Sequence, residues 1–390
     1  MERLSTYLRG DKVIWLVVFI LSIFSVLAVY SSTGTLAYKY QAGNTEYYLL
    51  KHFAILVAGL ALMYGAHLVK YTYYSRLSQL LIWIAVPLLL ITLLMGTHIN
   101  QASRWLTLPV VGISFQTSDL AKLALIMYLA RTLSKKQNQI KEFKTAFLPI
   151  LIPVVLVCAL ILPANFSTSA LLFLTSLFLM FIGRVKIKYL LLLIGTGITI
   201  LCLFIALVML TPSQGRVATW KSRIENFVSG ENAGNYQVEQ SKIAIAKGGI
   251  INFDPGGSTQ RNFLPHPYSD FIFAIIIEEY GLLGGAFVIL LYFILLFRTI
   301  RIVGKSPGTF ATLLAMGCCF SLVFQALINM AVTVNLIPVT GLALPLVSMG
   351  GTSILFTSIA IGIILSVGRS VEKETGKVKT SNSKLRYTLS

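Results

Sequence analysis

Charge is scarce in this chain. Only 12% of its 390 residues are Asp, Glu, Lys or Arg, roughly half the share of an ordinary soluble domain (~25%). With 56% hydrophobic residues and a mean hydropathy of +0.79, that shortage excludes a water-soluble globule. Cysteine is sparse too. The four present, Cys158, Cys202, Cys318 and Cys319, all fall inside apolar runs, which excludes a disulfide framework and any metal-ligand spacing built on thiols. The four histidines, His52, His67, His98 and His266, are scattered and form no zinc signature. Nor does one half of the sequence resemble the other, so the internal repeats typical of alternating-access transporters are missing.

What the chain has in quantity is long apolar runs. The first, from Val13 to about Tyr30, is long enough to cross a bilayer. The apolar core of a cleaved signal peptide is shorter, so this run is expected to be retained as a first helix. In all, ten spans are predicted, at about 13–31, 49–69, 77–96, 117–133, 147–163, 168–183, 187–211, 271–297, 308–335 and 349–368. The fifth and sixth flank a polar break, Pro163-Ala164-Asn165-Phe166-Ser167-Thr168; reading them as one bent helix would reverse the topology of everything that follows. The fold class is therefore an all-α polytopic membrane protein. Its largest extracytoplasmic loop, about 212–268, lies between helices 7 and 8 and holds short interfacial helices.

Orientation follows from the basic residues, which favour cytoplasmic loops. Most of the 32 Lys and Arg lie at the amino terminus (Arg3, Arg9, Lys12), in alternate loops (Lys70 and Arg76; Arg131 to Lys144; Arg184 to Lys188; Arg298 to Lys305) and in the tail beyond Arg369. Both termini are thus expected in the cytoplasm. The net charge of +18 does not imply nucleic acid, because the cations sit in short loops abutting apolar helices. Residues 1–369 read as one transmembrane domain. Residues 370–390 read as a basic, disordered cytoplasmic tail against anionic lipid.

Chemistry is expected on the outer face, where the polar segments are. Two stretches of the large loop, 216–227 and Tyr236 to Gly249, place apolar residues at helical spacing beside Arg223, Gln237, Gln240, Ser241 and Lys242. That pattern fits helices lying on the membrane surface. They could simply hold the loop down, or they could turn cations and amides toward a lipid headgroup. A second loop carries Arg104-Trp105 and then Thr117-Ser118-Asp119-Leu120-Ala121-Lys122. Thr117 or Ser118 could cap a helix whose first turn holds Asp119. Lys122 lies one turn further in, so it either pairs with Asp119 or lines a polar cavity. Ser269-Asp270 likewise opens an apolar helix, and capping alone could explain both residue types.

At this point the motifs carry a resemblance. Arg104-Trp105, the run from Phe115 to Lys122, and Tyr236-Gln237-Val238-Glu239-Gln240-Ser241-Lys242 resemble the SEDS family, which includes FtsW, RodA and the sporulation homologue. So do Gly256-x-Ser258-x-Gln260, Phe263-Leu264-Pro265 with Ser269-Asp270-Phe271-Ile272-Phe273, and Glu278-Glu279. Gln325-x-x-x-Asn329 and the run from Pro338 to Gly351, which includes Ser348, complete the match. It extends over about residues 13–369, with several long motifs in the same order.

The resemblance implies a peptidoglycan glycosyltransferase that polymerises lipid II at the outer face of the bacterial inner membrane. Asp270 matches the family's catalytic aspartate, a general base for the attacking sugar hydroxyl. The leaving lipid diphosphate needs its charge neutralised, for which Arg104, Lys122, Arg223 and Lys242 are candidates, and Lys122 could also pair with Asp270. Substrate contacts are expected from Asp119, Gln237, Gln240, Ser241, Ser258, Gln260, Ser269, Gln325, Asn329 and Ser348. No tightly bound cofactor is implied, although Mg²⁺ or another divalent cation could assist. The expected partners are a class B penicillin-binding protein transpeptidase and other divisome or elongasome proteins. The chain also departs from the usual family pattern. His266 stands where the family usually has Glu, Tyr268 where it has His, and Ser269 where it has Thr. Asn252 and Asp254 replace glycines, and Asn165 and Ser167 replace Asp and Gly. The Leu-Pro-His-Pro-Tyr-Ser-Asp variant is more similar to the division-type FtsW branch than to the RodA branch. Two other functions fit the same architecture: a lipid II flippase and a scaffold for a transpeptidase.

Overall fold

The computed structural model describes residues 9–40, 43–95, 97–99, 102–107, 114–210, 221, 236–306 and 308–388. In order, the helices are α1 (Lys12–Ser32), α2 (Gly34–Tyr40), α3 (Thr45–Leu68), α4 (Tyr71–Met95), α5 (Thr117–Lys135), α6 (Leu148–Ile161), α7 (Phe166–Ile182), α8 (Ile187–Leu210), α9 (Tyr236–Gly248), α10 (Ile272–Val303), α11 (Thr309–Thr333) and α12 (Thr352–Thr388). Each of the ten predicted spans coincides with one of these helices. Seven helical stretches among the described residues are long and apolar enough to cross a membrane: α1, α3, α4, 143–161, α10, α11 and 352–374. Two shorter apolar helices, 166–182 and 187–200, accompany them. The polar break after Ile161 separates two helices, and Asn165 caps the second by accepting from the Thr168 amide at 3.3 Å.

Besides the short helix α2, two elements were not anticipated. Strands β1 (Thr97–Ile99), β2 (Ala102–Thr107) and β3 (Ser114–Gln116) form a small antiparallel sheet, with Thr97 opposite Trp105 and Trp105 opposite Gln116. It runs directly into α5. At the other end, α12 continues as a helix through the basic segment for which the sequence predicts disorder, as far as Thr388. Val371 is buried there, and Glu372 accepts from the Gly10 amide at 2.9 Å.

The bundle is organised around α11 and the first half of α12. In each, 72% of the apolar window is buried, against 22% in α3 and 28% in α4, which expose an apolar face. Lipid chains are as apolar as Leu, so helices in a bilayer associate through close packing rather than hydrophobic expulsion. Small residues make the close approaches. Gly362 of α12 lies against the Met63 backbone of α3, Gly59 of α3 faces Ser358, and Gly317 of α11 fits between Ile126 and Leu179.

Two breaks in helical geometry shape the end of the bundle that holds Asp270. At Gly281, φ is 69° and ψ −178°, a conformation open essentially to glycine. The amides of Leu282 and Leu283 then donate to the carbonyls of Gly249 (3.0 Å) and Ile250 (3.2 Å), tying the loop after α9 to α10. A Cβ at Gly281 would also meet the backbone of Ile250 and Asn252 at 2.7 Å. The second break is the irregular segment 338–351 between α11 and α12, in which Leu344 to Ser348 are buried.

Gly362→Val is expected to force α12 off α3, costing about 1–3 kcal/mol and lowering the melting temperature of the detergent-solubilised protein. Gly195, whose added Cβ would meet nothing within 4 Å, should accept Ala with no loss in the same melt.

Candidate active site

A buried stretch of irregular backbone has amides and carbonyls that neither helix nor water satisfies, and each unsatisfied group in a membrane bundle is costly. In segment 338–351, side chains from several helices meet that demand. Asn329 of α11 donates to the Leu342 carbonyl at 2.7 Å, and Gln325, one turn earlier, donates to the Ala343 carbonyl at 2.8 Å. Tyr292 donates to the Pro345 carbonyl at 2.5 Å. Ser25 of α1 donates to the Val347 carbonyl at 2.9 Å, with His52 Nε2 2.7 Å from its hydroxyl. Ser348 accepts from the Leu344 amide at 2.7 Å.

The same groups hold the loop that carries Asp270. Asn329 Nδ2 also donates to the Asp270 carbonyl at 2.9 Å, and Ser348 donates to the Ser269 carbonyl at 2.6 Å. The Met349 amide donates to the Tyr268 carbonyl at 2.9 Å. Three consecutive residues, Tyr268 to Asp270, are therefore pinned through their backbones. The Asp270 side chain stays half-exposed, accepts from the Ser269 hydroxyl at 2.9 Å, and lies alongside Gly341. Helix α10 begins at Ile272 with Phe271 as its N-cap residue. Asp270 thus lies one residue outside the capping position, and capping does not account for it. On the far side of the pinned residues, His266 adopts a left-handed φ of 55° and pairs with the Tyr268 hydroxyl at 2.9 Å.

Lys122 reaches the same face of α11, at Gln325, one turn from Asn329. Its ammonium is 3.6 Å from Asp119 and donates to Gln325 Oε1 at 2.8 Å, with Lys122 and Asp119 both buried. The expected local pair is present. Among the described residues Lys122 has no ion pair with Asp270; the two are linked instead through Gln325, Asn329 and the backbone of residues 342–343. The predicted cap at Thr117 or Ser118 is replaced: both are inside α5, the N-cap residue is Gln116, and no side chain caps the helix. Gln116 donates through Nε2 to Ser118 at 2.9 Å and through its amide to Thr352 Oγ1 at 3.2 Å, fixing the sheet to the start of α12.

The remaining candidates divide. Ser269, Gln325, Asn329 and Ser348 gather around Asp270. Ser258 and Gln260 instead belong to a second cluster roughly 12 Å further along, by helical rise over the eight residues from Asp270 to Glu278. There Glu278 accepts from Ser258 Oγ (2.5 Å), the Thr259 amide (3.0 Å) and hydroxyl (3.1 Å), the Gln260 amide (3.3 Å) and Lys247 Nζ (3.2 Å). Glu279 accepts from Ser31 of α1, and Arg261 donates to the Ser31 carbonyl at 3.0 Å. These two acids are a clamp on loop 254–261. On α9, Val238, Ser241, Ala244 and Gly248 are buried against α10 and α11, and Ser241 donates to the Thr333 carbonyl at 2.8 Å. Gln237 and Gln240 are half-buried and Lys242 is exposed. Arg223, the first interfacial stretch apart from Lys221, and the Arg104 side chain lie outside the described residues. Tyr292 as a backbone partner carries no local sequence signal, because it acts on a residue 53 positions away.

The sequence profile of the FtsW, RodA and SpoVE family, described as "Cell cycle protein", matches residues 11–373. The chain belongs to this family. The FtsW/RodA-type relatives include a protein named "Probable peptidoglycan glycosyltransferase FtsW" from Trichlorobacter lovleyi, 31% identical over 384 residues and covering 96% of this chain and 97% of the relative. Stage V sporulation protein E of Bacillus subtilis is 31% identical over 365 residues, covering 92% and 97%. Among solved structures, RodA of Thermus thermophilus superposes with a TM-score of 0.67 at 23% identity, covering 92% of this chain and 97% of that one. A chain from a peptidoglycan synthase complex described as coordinating polymerization and crosslinking gives 0.71 at 23% identity, covering 93% and 98%. At that identity the likeness shows a shared fold. The protein is accordingly a multi-pass membrane protein of the FtsW/RodA type.

Asn329→Ala removes the donor to two carbonyls in this FtsW/RodA-type site. Each carbonyl left unpaired costs about 1–3 kcal/mol, so a clear drop in melting temperature is expected by differential scanning fluorimetry in detergent.

Proposed function

We propose that this chain polymerises lipid II into glycan strands, with Asp270 as the general base. The observation that carries the reading is the backbone pinning of residues 268–270, which leaves one half-exposed carboxylate at the mouth of a membrane helix. A carboxylate so fixed can take the proton from a sugar hydroxyl as it attacks the anomeric carbon of a second lipid II. The hydroxyl oxygen forms the new glycosidic bond while the bond to the lipid diphosphate breaks. Attack opposite the diphosphate inverts the anomeric centre, converting an α-linked donor into a β-linked polymer. The diphosphate departs as an anion, so it calls for cations rather than a proton.

Arg104, Lys122, Arg223 and Lys242 remain the proposed cations. Lys122, already paired with Asp119 and Gln325, acts as a fixed positive end of α5 rather than a mobile donor. The relatives named FtsW favour a division role over an elongation role. The outward-facing site, both termini in the cytoplasm and a class B penicillin-binding protein as partner belong to the same proposal, the last supported by the fold shared with a chain of a synthase complex. Mg²⁺ could neutralise the diphosphate. Among the described residues no group of three or more His, Cys, Asp and Glu could hold it.

Purified protein supplied with lipid II in detergent tests the reading. Wild type should make polymer, and Asp270→Ala and Asp270→Asn should each lose about 10²–10⁴-fold in rate, the range of a general base. Normal polymerisation by either variant would remove Asp270 from the reaction. Polymer that appears only after a separate glycosyltransferase is added would favour the flippase or scaffold function.

A further inference from the structure

At the end of α5 opposite Lys122, about 20 Å away by helical rise, lies an open cleft of about 470 Å³ lined by Lys70, Thr72, Tyr73, Ser75, Arg76, Arg131 and Lys135. Four of the seven lining side chains are cationic and none is acidic. Arg131 is held in place: it donates to the Ser75 carbonyl, to Ser75 Oγ at 3.1 Å and to Gln79 Oε1 at 2.9 Å. The side chains of Lys70, Arg76 and Lys135 make no hydrogen bond or ion pair with any described residue. Tyr71 opens α4 beside them, so the positive end of that helix points the same way.

Basic residues in loops between membrane helices are common and need no ligand. Here, however, three cations with no partner among the described residues converge with a fourth, pre-oriented one on a single concave cleft of ligand size. The surface leading from it is apolar. Tyr73, Leu77, Leu80 and Ile84 of α4 follow one another at helical spacing and are 60%, 39%, 58% and 41% exposed. That stripe runs from the cleft into the apolar part of the bundle and would lie alongside lipid chains. Cations at one end and an apolar track at the other match an amphiphile with an anionic head. Basic pockets between membrane helices are a recurrent way of holding such headgroups.

We infer that this cleft binds the phosphate head of an anionic phospholipid, with the acyl chains laid along Leu77, Leu80 and Ile84. The site is separate from Asp270 and does not depend on which reaction Asp270 serves. The charge-only chemistry would also suit free phosphate, and an acidic peptide of a cytoplasmic partner is the rival occupant.

The test is native mass spectrometry of the full-length protein in detergent, titrated with dioleoylphosphatidylglycerol and with dioleoylphosphatidylcholine. Wild type should retain the anionic lipid preferentially. The triple variant Lys70→Gln, Arg76→Gln, Lys135→Gln should lose at least about tenfold in that retention. A second triple variant, Lys141→Gln, Lys186→Gln, Arg301→Gln, removes the same charge from elsewhere on that face and should retain the lipid as wild type does. An unchanged melting temperature for both triples shows that each is folded, and Arg131 is left intact for that reason. Equal loss in the two triples would mean general electrostatic attraction and would overturn the site. Displacement of the lipid by millimolar inorganic phosphate, or equal binding of a dihexanoyl analogue, would show a soluble-anion site instead. Displacement by a poly-glutamate peptide but by neither of those would favour the acidic partner.

Discussion

Everything at the Asp270 end of this bundle depends on one problem: a non-helical segment, 338–351, is buried among membrane helices and its backbone must find partners. The solution uses Asn329, Gln325, Tyr292, Ser25 and Ser348, drawn from helices α1, α10 and α11 and from the segment itself. Because Asn329 and Ser348 each also bind the loop at 268–270, satisfying the segment and positioning Asp270 are a single act. The polar side chains that look expensive in an apolar bundle are the ones that make irregular backbone tolerable there.

This changes how the charged residues are read. Acids within a spanning helix often mark a proton or substrate pathway, and Glu278 and Glu279 are two such residues. In the structure, Glu278 is enclosed by Ser258, Thr259, Gln260 and Lys247, and Glu279 by Ser31. They hold loop 254–261 down while the Gly281 break lets α10 accept the chain leaving α9. Asp119 and Lys122 likewise form a pair, but theirs is joined to Gln325 and so to the segment beside Asp270.

The apolar runs made the helices legible. The span predicted at 308–335 is the helix Thr309–Thr333, and the break at Asn165 separates two helices as its polar residues suggest. Segment chemistry was legible where the signal is local. The three-stranded sheet was not, because its strands are three to six residues long and are made by cross-strand pairing rather than by a long alternation. The helix starts at 117 and 272 also departed from capping expectations: Gln116 and Phe271 occupy the cap positions without a side-chain bond. Above all, Ser258 and Gln260 carry the same kind of motif signal as Ser348, yet they answer to Glu278 and not to Asp270. Only the fold distinguishes a polar residue that steadies a loop from one that steadies the site.

Hydrogen–deuterium exchange of residues 268–274, compared between wild type and Ser348→Ala, reads whether segment 338–351 holds that loop. Loss of the one hydroxyl should accelerate exchange in that loop, 79 positions away in sequence from the substitution, more than in the helices outside the site. Exchange that stays at the wild-type rate would contradict the claim that segment 338–351 holds Asp270 in place.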